Sequence, residues 1–422
     1  MRVLIVTQYY PPEVGAPQNR LSHLASYLKK AGHSVTVLTA LPNYPTGEIY
    51  DGYKGRILVD DQHDGIRVVR TWLYARRNPG FVGRLGQYLS FATLAVLVGL
   101  WKLTRQDVVF VESPPLFSGL AGSLIARLKK ARFVLNISDL WCDSAVEMGM
   151  VKNRLLISLV KGIEKKLYQQ ADAIIGQTQG IVTNIQPQVS NKPVILVTNG
   201  ATVERFGEIG KELRADTRKE FGLEDRFVVG YAGLHGLMQD LDVVMETARL
   251  LRGCEHILFA FYGDGPSKAR LTEQAKNTKM ENVRFFPPQP HARMAELLAC
   301  FDAVVIALKQ LPILRGALPS KLFEAMAAGV PIVLAGEGEA RKLVEEARCG
   351  IAVQPEDPRQ LAHAIMELYG NEAQRIILGQ AGRTHIFQHY DRGQLHKKVE
   401  TLLSQLTSLS KPCPAEIHAS RS

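Results

Sequence analysis

Short, wholly apolar runs alternate along this chain with stretches in which apolar residues recur at helical spacing. In the first half the runs are RVLIVTQ, SVTVLTA, IRVVRTW, DVVFVES, RFVLNISDLW, DAIIGQT and PVILVTNG. Helical patterns separate them over about 19–31, through LAGSLIARLKKA, near 151–170 and briefly after DAIIGQT. Apolar strands joined by helices predict a parallel sheet covered on both faces. After TNGATVERFG the pattern restarts with FVVGYAG, ILFAFYGDGP, VRFFPPQP, DAVVIAL, PIVLAG and GIAVQP. Helices are expected at DLDVVMETARLLR, after YGDGP, at RMAELLACF, behind Pro319 and after Glu339, with two more closing the chain.

The fold class expected is therefore α/β, with two doubly wound Rossmann-like domains facing across a cleft lined by the C-terminal ends of their strands. The boundaries expected are 1–199 for the first domain, 200–390 for the second, 391–407 for a closing helix packing back toward the first, and 408–422 for a disordered tail. A length of 422 residues agrees with two cores, since single cores stop growing well short of that.

With 46% hydrophobic and 22% charged residues the composition is that of an ordinary globular protein, but its charge is unevenly placed. Residues 1–199 carry 23 Lys and Arg against 13 Asp and Glu, whereas the remainder carries 28 of each, so the whole excess of +10 lies in the first half. That asymmetry points to a polyanionic partner of the first domain. No basic run is interleaved with aromatics and no zinc or helix-turn-helix signature occurs, which turns the expectation from nucleic acid to an anionic membrane face. Residues 88–101, YLSFATLAVLVGLW, are uncharged and flanked by Arg76, Arg77, Arg84, Lys102 and Arg105. A span needs about 20 apolar residues, so this helix reads either as buried or as held at an anionic surface. Five Cys without paired spacing and an N-terminus that reads as a strand rather than a leader suggest a reduced, cytoplasmic setting, peripheral on the membrane.

The chemistry is expected in strand-end loops. Gly15 lies in the Pro-rich turn after the first strand, where glycine lets backbone approach a phosphate or sugar. Asp139, in NISDLWCDS, ends a first-domain strand and is placed to orient or deprotonate an acceptor hydroxyl, with Asp143 and Glu147 following at helical spacing; a helix cap is the structural alternative. In the second domain, YAGLHGLMQDLD supplies Gly233, His235 and Gln239, YGDGP supplies Gly263, and FFPPQPH offers a surface for a flat ring. Lys309, Arg315 and Lys321 add positive charge near ALPSKLFEAMAAG. There Ser320, Lys321 and Glu324 share one face at the start of a helix, whose free N–H groups suit a phosphate while the carboxylate suits a pair of sugar hydroxyls. The alternative for that window is a plain Lys321–Glu324 surface ion pair. Neither a G-x-G-x-x-G fingerprint nor a G-x-x-x-x-G-K-[ST] loop is present, which argues against a dehydrogenase and an ATP-hydrolysing enzyme.

QYYPPEVGAPQNRLSHLASYLKKAGHSVTVLTALPNYP, DLWCDSAVEMG, TNGATVERF, YAGLHGLMQDLD, YGDGP and LPSKLFEAMAAGVPIV, in this order, resemble the retaining glycosyltransferases of the GT-B fold called family 4, and within it the bacterial amino-sugar transferases of surface-polysaccharide synthesis such as L-fucosamine transferases. The resemblance runs to about residue 405. It implies that Glu324 binds the donor ribose, that the Ser320 helix start receives the diphosphate, that Gly15 closes over the donor, and that Asp139 stands near the acceptor hydroxyl. It also implies metal independence, with basic groups and helix N-termini stabilising the leaving diphosphate. Two departures stand out: Gly316 occupies the position of a second family Glu, and the loop after FVVGYAG has His235, Leu237, Met238 and Gln239 where Arg and Lys are common. The function expected is transfer of a hexose or N-acetylamino sugar from a nucleotide diphosphate sugar, most simply UDP, to a lipid-linked saccharide, with no resident cofactor. The alternatives are a nucleotide-sugar 2-epimerase, a phosphorylase, or a membrane-bound partner subunit without activity.

Overall fold

The computed structural model describes residues 1–77, 80–140, 153–207 and 209–408. Asp143, Glu147 and the expected tail beyond Ser408 lie outside them. The chain divides into two compact units, Met1–Val197 together with the chain from Leu395 onward, and Thr198–Gln394.

In the first unit, strands β1 (Arg2–Val6), β2 (Ser34–Ala40), β3 (Leu58–His63), β4 (Ile66–Thr71), β5 (Val108–Ser113), β6 (Arg132–Ile137), β7 (Ala173–Gly176) and β8 (Val194–Leu196) form one sheet in the order β3-β4-β2-β1-β5-β6-β7-β8. The direction of winding reverses between β1 and β5, where such sheets open a crevice at their strand ends. Helix α1 (Ala16–Lys30) packs on one face, where Val3, Ile5, Leu21 and Leu28 meet Leu395, Val399 and Leu403 of the returning chain. Helices α2 (Phe81–Lys102), α3 (Leu116–Lys129), α4 (Arg154–Gln170) and the short α5 (Gln179–Ile185) cover the other face over Leu4, Val109 and Leu135.

Two expectations need correction here. β3 is an extra strand, antiparallel to β4, so the sheet is not wholly parallel. Its sequence, LVDDQH, carries only two apolar residues and no fully buried one, as suits a half-exposed edge, and the Asp64–Gly65 turn that joins it to β4 has φ of +50° and +70°, as a tight hairpin requires. α2 is also longer than its apolar stretch, at 22 residues, because Gly83, Arg84 and Gly86 continue its first turns.

The second unit contains β9 (Phe227–Ala232), β10 (Ile257–Tyr262), β11 (Val283–Phe286), β12 (Ala303–Ala307), β13 (Ile332–Ala335) and β14 (Gly350–Val353), ordered β11-β10-β9-β12-β13-β14 and all parallel. Its helices are α6 (Lys211–Glu220), α7 (Leu241–Leu250), α8 (Lys268–Asn277), α9 (Met294–Ala299), α10 (Ser320–Ala328), α11 (Gly338–Glu346), α12 (Pro358–Gly370) and α13 (Glu372–His389), and α14 (Arg392–Ser408) leads back to the first unit. Three helices rather than two thus follow the last strand. Residues of α7, α8 and α12 cover one face of the sheet and residues of α9, α10, α11 and α13 the other. Central strand β9 keeps a glycine, Gly230, because a Cβ there would lie 2.0 Å from the Phe301 ring that packs across it. Cys254, Cys300 and Cys349 are free thiols.

Candidate functional site

The sheet of the second unit reverses its winding between β9 and β12, and the loops that leave these strands and β10 carry most of the residues singled out from the sequence. The β9 and β10 loops lie against each other. Gly233 and Gly263 have φ of +145° and +137°, and a Cβ on Gly263 would lie 1.9 Å from the Gly233 carbonyl oxygen. Only glycine allows that approach, and it leaves bare backbone at the strand ends. The Gly233 N–H donates to the Tyr262 carbonyl (2.9 Å) and the His235 N–H to the Asp264 carbonyl (2.8 Å). The Lys268 ammonium then bonds the Gly263 carbonyl (2.7 Å) and the Phe286 carbonyl (2.9 Å), tying the β10 and β11 loops together.

His235 is completely buried under these loops, and neither of its ring nitrogens has a hydrogen-bond partner among the described residues. Burial, with Lys268 and Lys321 nearby, pushes its pKa down to about 4, so the ring is neutral at pH 7. It packs against Tyr231, with ring centroids 5.5 Å apart.

Helix α10 opens one step away. Its N-cap is Pro319, which has no side-chain acceptor, so the first N–H groups after it have no side-chain cap. Lys321, in the first turn, reaches back to β9: its ammonium donates to the Tyr231 hydroxyl at 2.7 Å and lies 3.9 Å from the ring centroid. The Tyr231 hydroxyl in turn donates to the Leu234 carbonyl at 2.6 Å. A Cβ on Gly233 would meet the Lys321 ammonium at 3.2 Å. The half-buried Lys321 therefore has a neutral hydroxyl and an aromatic face for company, not a bonded carboxylate. The exposed Lys321–Glu324 pair that the sequence allowed does not form. Burial lowers the Lys321 pKa to about 7, opposed by the field of Glu324. Glu324, one turn on, is raised by burial, against Arg392 and Lys321.

The remaining expected residues divide. Ser320 is the first residue of α10 and half-buried. Lys309 is tied to the β9 loop through its N–H, which donates to the Met238 carbonyl (3.2 Å), and its side chain is exposed. Gln239 folds over its own loop, its Oε1 lying 2.3 Å from where a Cβ on Gly236 would be. Arg315 does not join the cluster: on the turn Pro312–Gly316 it pairs with Glu337, the N-cap residue of α11, at 3.1 Å, and its side chain is 64% exposed. Phe285 and Phe286 stack on Phe261 and Tyr262, at 4.9 and 4.3 Å between centroids, so these rings build the core and only the prolines after them are exposed.

Sequence reasoning missed three residues. Tyr231 looked like strand core, although its hydroxyl links the loop after β9 to the first turn of α10. Arg392 is buried and donates to the Gly200 carbonyl (2.9 Å) and the Thr202 hydroxyl (3.3 Å), while its charge acts on Glu324 from far along the chain. Glu339 places a carboxylate oxygen 4.0 Å from where a Cβ on Gly316 would stand. A carboxylate is thus present beside the very position at which the sequence lacks one.

In the first unit, Gly15 is the N-cap residue of α1 with an extended backbone, and a Cβ on it would lie 2.4 Å from the buried Gln18 Oε1. Its loop is clamped by Glu13, which accepts from the backbone N–H groups of Asn43 (2.7 Å), Tyr44 (2.8 Å) and Tyr10 (3.3 Å). Burial nonetheless raises the Glu13 pKa to about 7. Asp139 lies exposed on the bend after β6. Beneath that edge runs a buried network in which Glu112 accepts from Arg20 and Asn136, both at 2.5 Å, and Gln177 donates to Asn136 at 3.0 Å. Among the described residues no three His, Cys, Asp or Glu side chains are grouped to hold a metal ion.

The second unit can thus offer an anion a half-buried ammonium, bare glycine backbone and an uncapped helix start, with a carboxylate one turn deeper for hydroxyl groups. Residues 15–200 match the family described as glycosyl transferase 4-like domain, and residues 214–385 that described as glycosyl transferases group 1. The chain is 28% identical over 384 residues to the putative colanic acid biosynthesis glycosyl transferase WcaI of Escherichia coli K12, covering 87% of this chain and 92% of that protein. The structure of Anabaena HepE in complex with UDP matches with a TM-score of 0.70 at 16% identity, over 96% of this chain and all of the other. That of WaaG, a glycosyltransferase involved in lipopolysaccharide biosynthesis, matches with a TM-score of 0.69 at 16% identity, over 95% and 99%.

Proposed function

Starting from a glycosyltransferase of the GT-B fold that acts on nucleotide sugars in glycan biosynthesis, its 4-like domain preceding its group 1 domain, we propose that this chain is a retaining, metal-independent enzyme. It transfers a hexose or N-acetylamino sugar from a UDP-sugar to a lipid-linked saccharide of a cell-surface polysaccharide. The observation that carries this reading is the Lys321–Glu324 start of α10 beside the Gly233 and Gly263 loops. Lys321, the α10 N–H groups and the glycine backbone take the diphosphate; Glu324 accepts from the two ribose hydroxyls. As the glycosidic bond breaks, negative charge grows on the departing diphosphate, and the same ammonium and N–H groups stabilise it in place of a metal ion. Retention follows if the acceptor hydroxyl, oriented by Asp139, attacks from the face that the diphosphate leaves and passes its proton to the departing diphosphate oxygen. The UDP complex of HepE supports the choice of base, and the naming of WcaI for colanic acid and WaaG for lipopolysaccharide supports the acceptor class. An acceptor of that kind places the enzyme at the cytoplasmic face of the membrane, in keeping with the basic first half.

The test is a thermal-shift series with UDP, GDP and dTDP on the wild type and on Glu324→Ala, without divalent metal. UDP should raise the melting temperature of the wild type and leave the variant nearly unmoved. A shift with GDP or dTDP alone would move the base assignment, an equal shift in the variant would remove Glu324 from the ribose, and no shift with any nucleotide would overturn the donor site.

A further inference from the structure

Ten of the 23 exposed large hydrophobic side chains among the described residues lie on three neighbouring helices of the first unit, α2, α3 and α4. These helices cover one face of the sheet, α2 packed on α3 and α3 on α4. On α3, Leu120, Leu124 and Leu128 follow at intervals of four and form one outward stripe, 36%, 43% and 56% exposed. Leu155 and Leu159 repeat the spacing on α4, at 83% and 61%. On α2, Leu97 (58%) and Trp101 (76%) stand outward in the same way. The three helices together carry eight Lys and Arg and one acidic residue, Glu164. Outward apolar stripes on three packed helices set among cations are complementary to acyl chains below anionic headgroups, and soluble proteins seldom expose so much apolar surface without a partner. Aromatic platforms for nucleic-acid bases are not the dominant feature, because the outward residues are mostly leucines.

α2 by length and composition alone could cross a membrane. Its inner side forbids that. Phe91 and Ala95 are fully buried in the sheet core, a Cβ on Gly99 would come within 2.9 Å of Ile125, and Gln87 bonds the Asn43 side chain at 2.8 Å. Insertion would strip the core and the Glu13 loop together.

We infer that α2, α3 and α4 form a single face with which the first unit docks, side-on and without spanning, onto an anionic lipid bilayer. The inference deepens the proposed function, resting on its lipid-linked acceptor: the face holds the protein where such an acceptor is presented. Leucine and tryptophan tips enter the headgroup boundary, while Lys165 and Lys166, exposed on α4, meet lipid phosphates.

The test is co-sedimentation of the full chain with vesicles of phosphatidylcholine alone and of phosphatidylcholine mixed with phosphatidylglycerol. Binding is expected only to the anionic vesicles and is expected to weaken with added salt. Lys165→Gln with Lys166→Gln should weaken it about 30-fold, at about one kcal/mol for each cation at the surface. Leu124→Ser with Leu128→Ser should weaken it about tenfold, with unchanged melting temperature because both side chains already face solvent. Several results would overturn the inference: binding that resists alkaline extraction, loss confined to Leu97→Ser and Trp101→Ser, full competition by single-stranded nucleic acid, or no vesicle binding. UDP thermal shifts on the same samples separate the two readings. Vesicle binding without a nucleotide shift leaves the face and removes the transferase site; a nucleotide shift without vesicle binding does the reverse.

Discussion

Lys321 should make donor affinity depend on pH in a narrow and predictable window. Among the described residues its ammonium bonds only the neutral Tyr231 hydroxyl, and burial brings its pKa to about 7. Below pH 7 the side chain is charged and attracts the diphosphate; as pH rises through 7 the free enzyme loses the proton that binding requires. The diphosphate of a nucleotide sugar stays fully ionised across this range and the uracil N3–H gives up its proton only at the upper end, so the enzyme sets nearly all of the slope. About half of Lys321 is charged at pH 7 and about one part in a hundred at pH 9, so the affinity for UDP-glucose, used as a probe, should fall about 50-fold over that interval if the bound diphosphate keeps the ammonium charged. Calorimetry in two buffers of different ionisation enthalpy measures the same effect as proton uptake, approaching one per site near pH 9 and vanishing near pH 6. Lys321→Arg stays charged throughout and should flatten the profile. Lys321→Met should bind weakly at every pH yet fold at least as stably without ligand, since it removes a half-buried charge that has no bonded counterion. A wild-type affinity unchanged between pH 7 and 9, or an equal fall in Lys321→Arg, would refute the reasoning.

Two further predictions concern carboxylates. Glu339→Gln should raise the KM for the sugar donor about tenfold or more while leaving UDP binding within about twofold, if Glu339 does for the sugar what the absent carboxylate at Gly316 cannot; comparison of KM with the UDP dissociation constant checks it. Glu112→Ala should cost about 3–5 kcal/mol in a denaturant titration, because it leaves Arg20 buried without its carboxylate, and Arg20→Met in the same chain should recover part of the loss.

The alternation of apolar runs with helical patterns was enough to read two doubly wound units, because a parallel strand buried on both faces and an amphipathic helix leave unlike periodicities in the chain. β3 escaped since an exposed edge strand such as LVDDQH has little apolar signal. The local motifs at Gly233, Gly263 and PSKLFE could be found because glycine at a strand end and a polar group at a helix start have meanings set by neighbouring backbone. Which charges meet across the fold could not be found in this way. Arg315 and Lys321 are six residues apart and equally basic in sequence, yet one is spent on Glu337 at the surface and the other is held over Tyr231 from β9. The charge of Arg392 acts on Glu324, and Glu339 comes beside Gly316, only because separate segments are packed together. The chain by itself therefore determined the elements, their class and the residue types available for anion and hydroxyl binding. Tertiary structure decided partners, burial and protonation, since Coulomb energies and desolvation depend on distances in space that sequence separation does not encode.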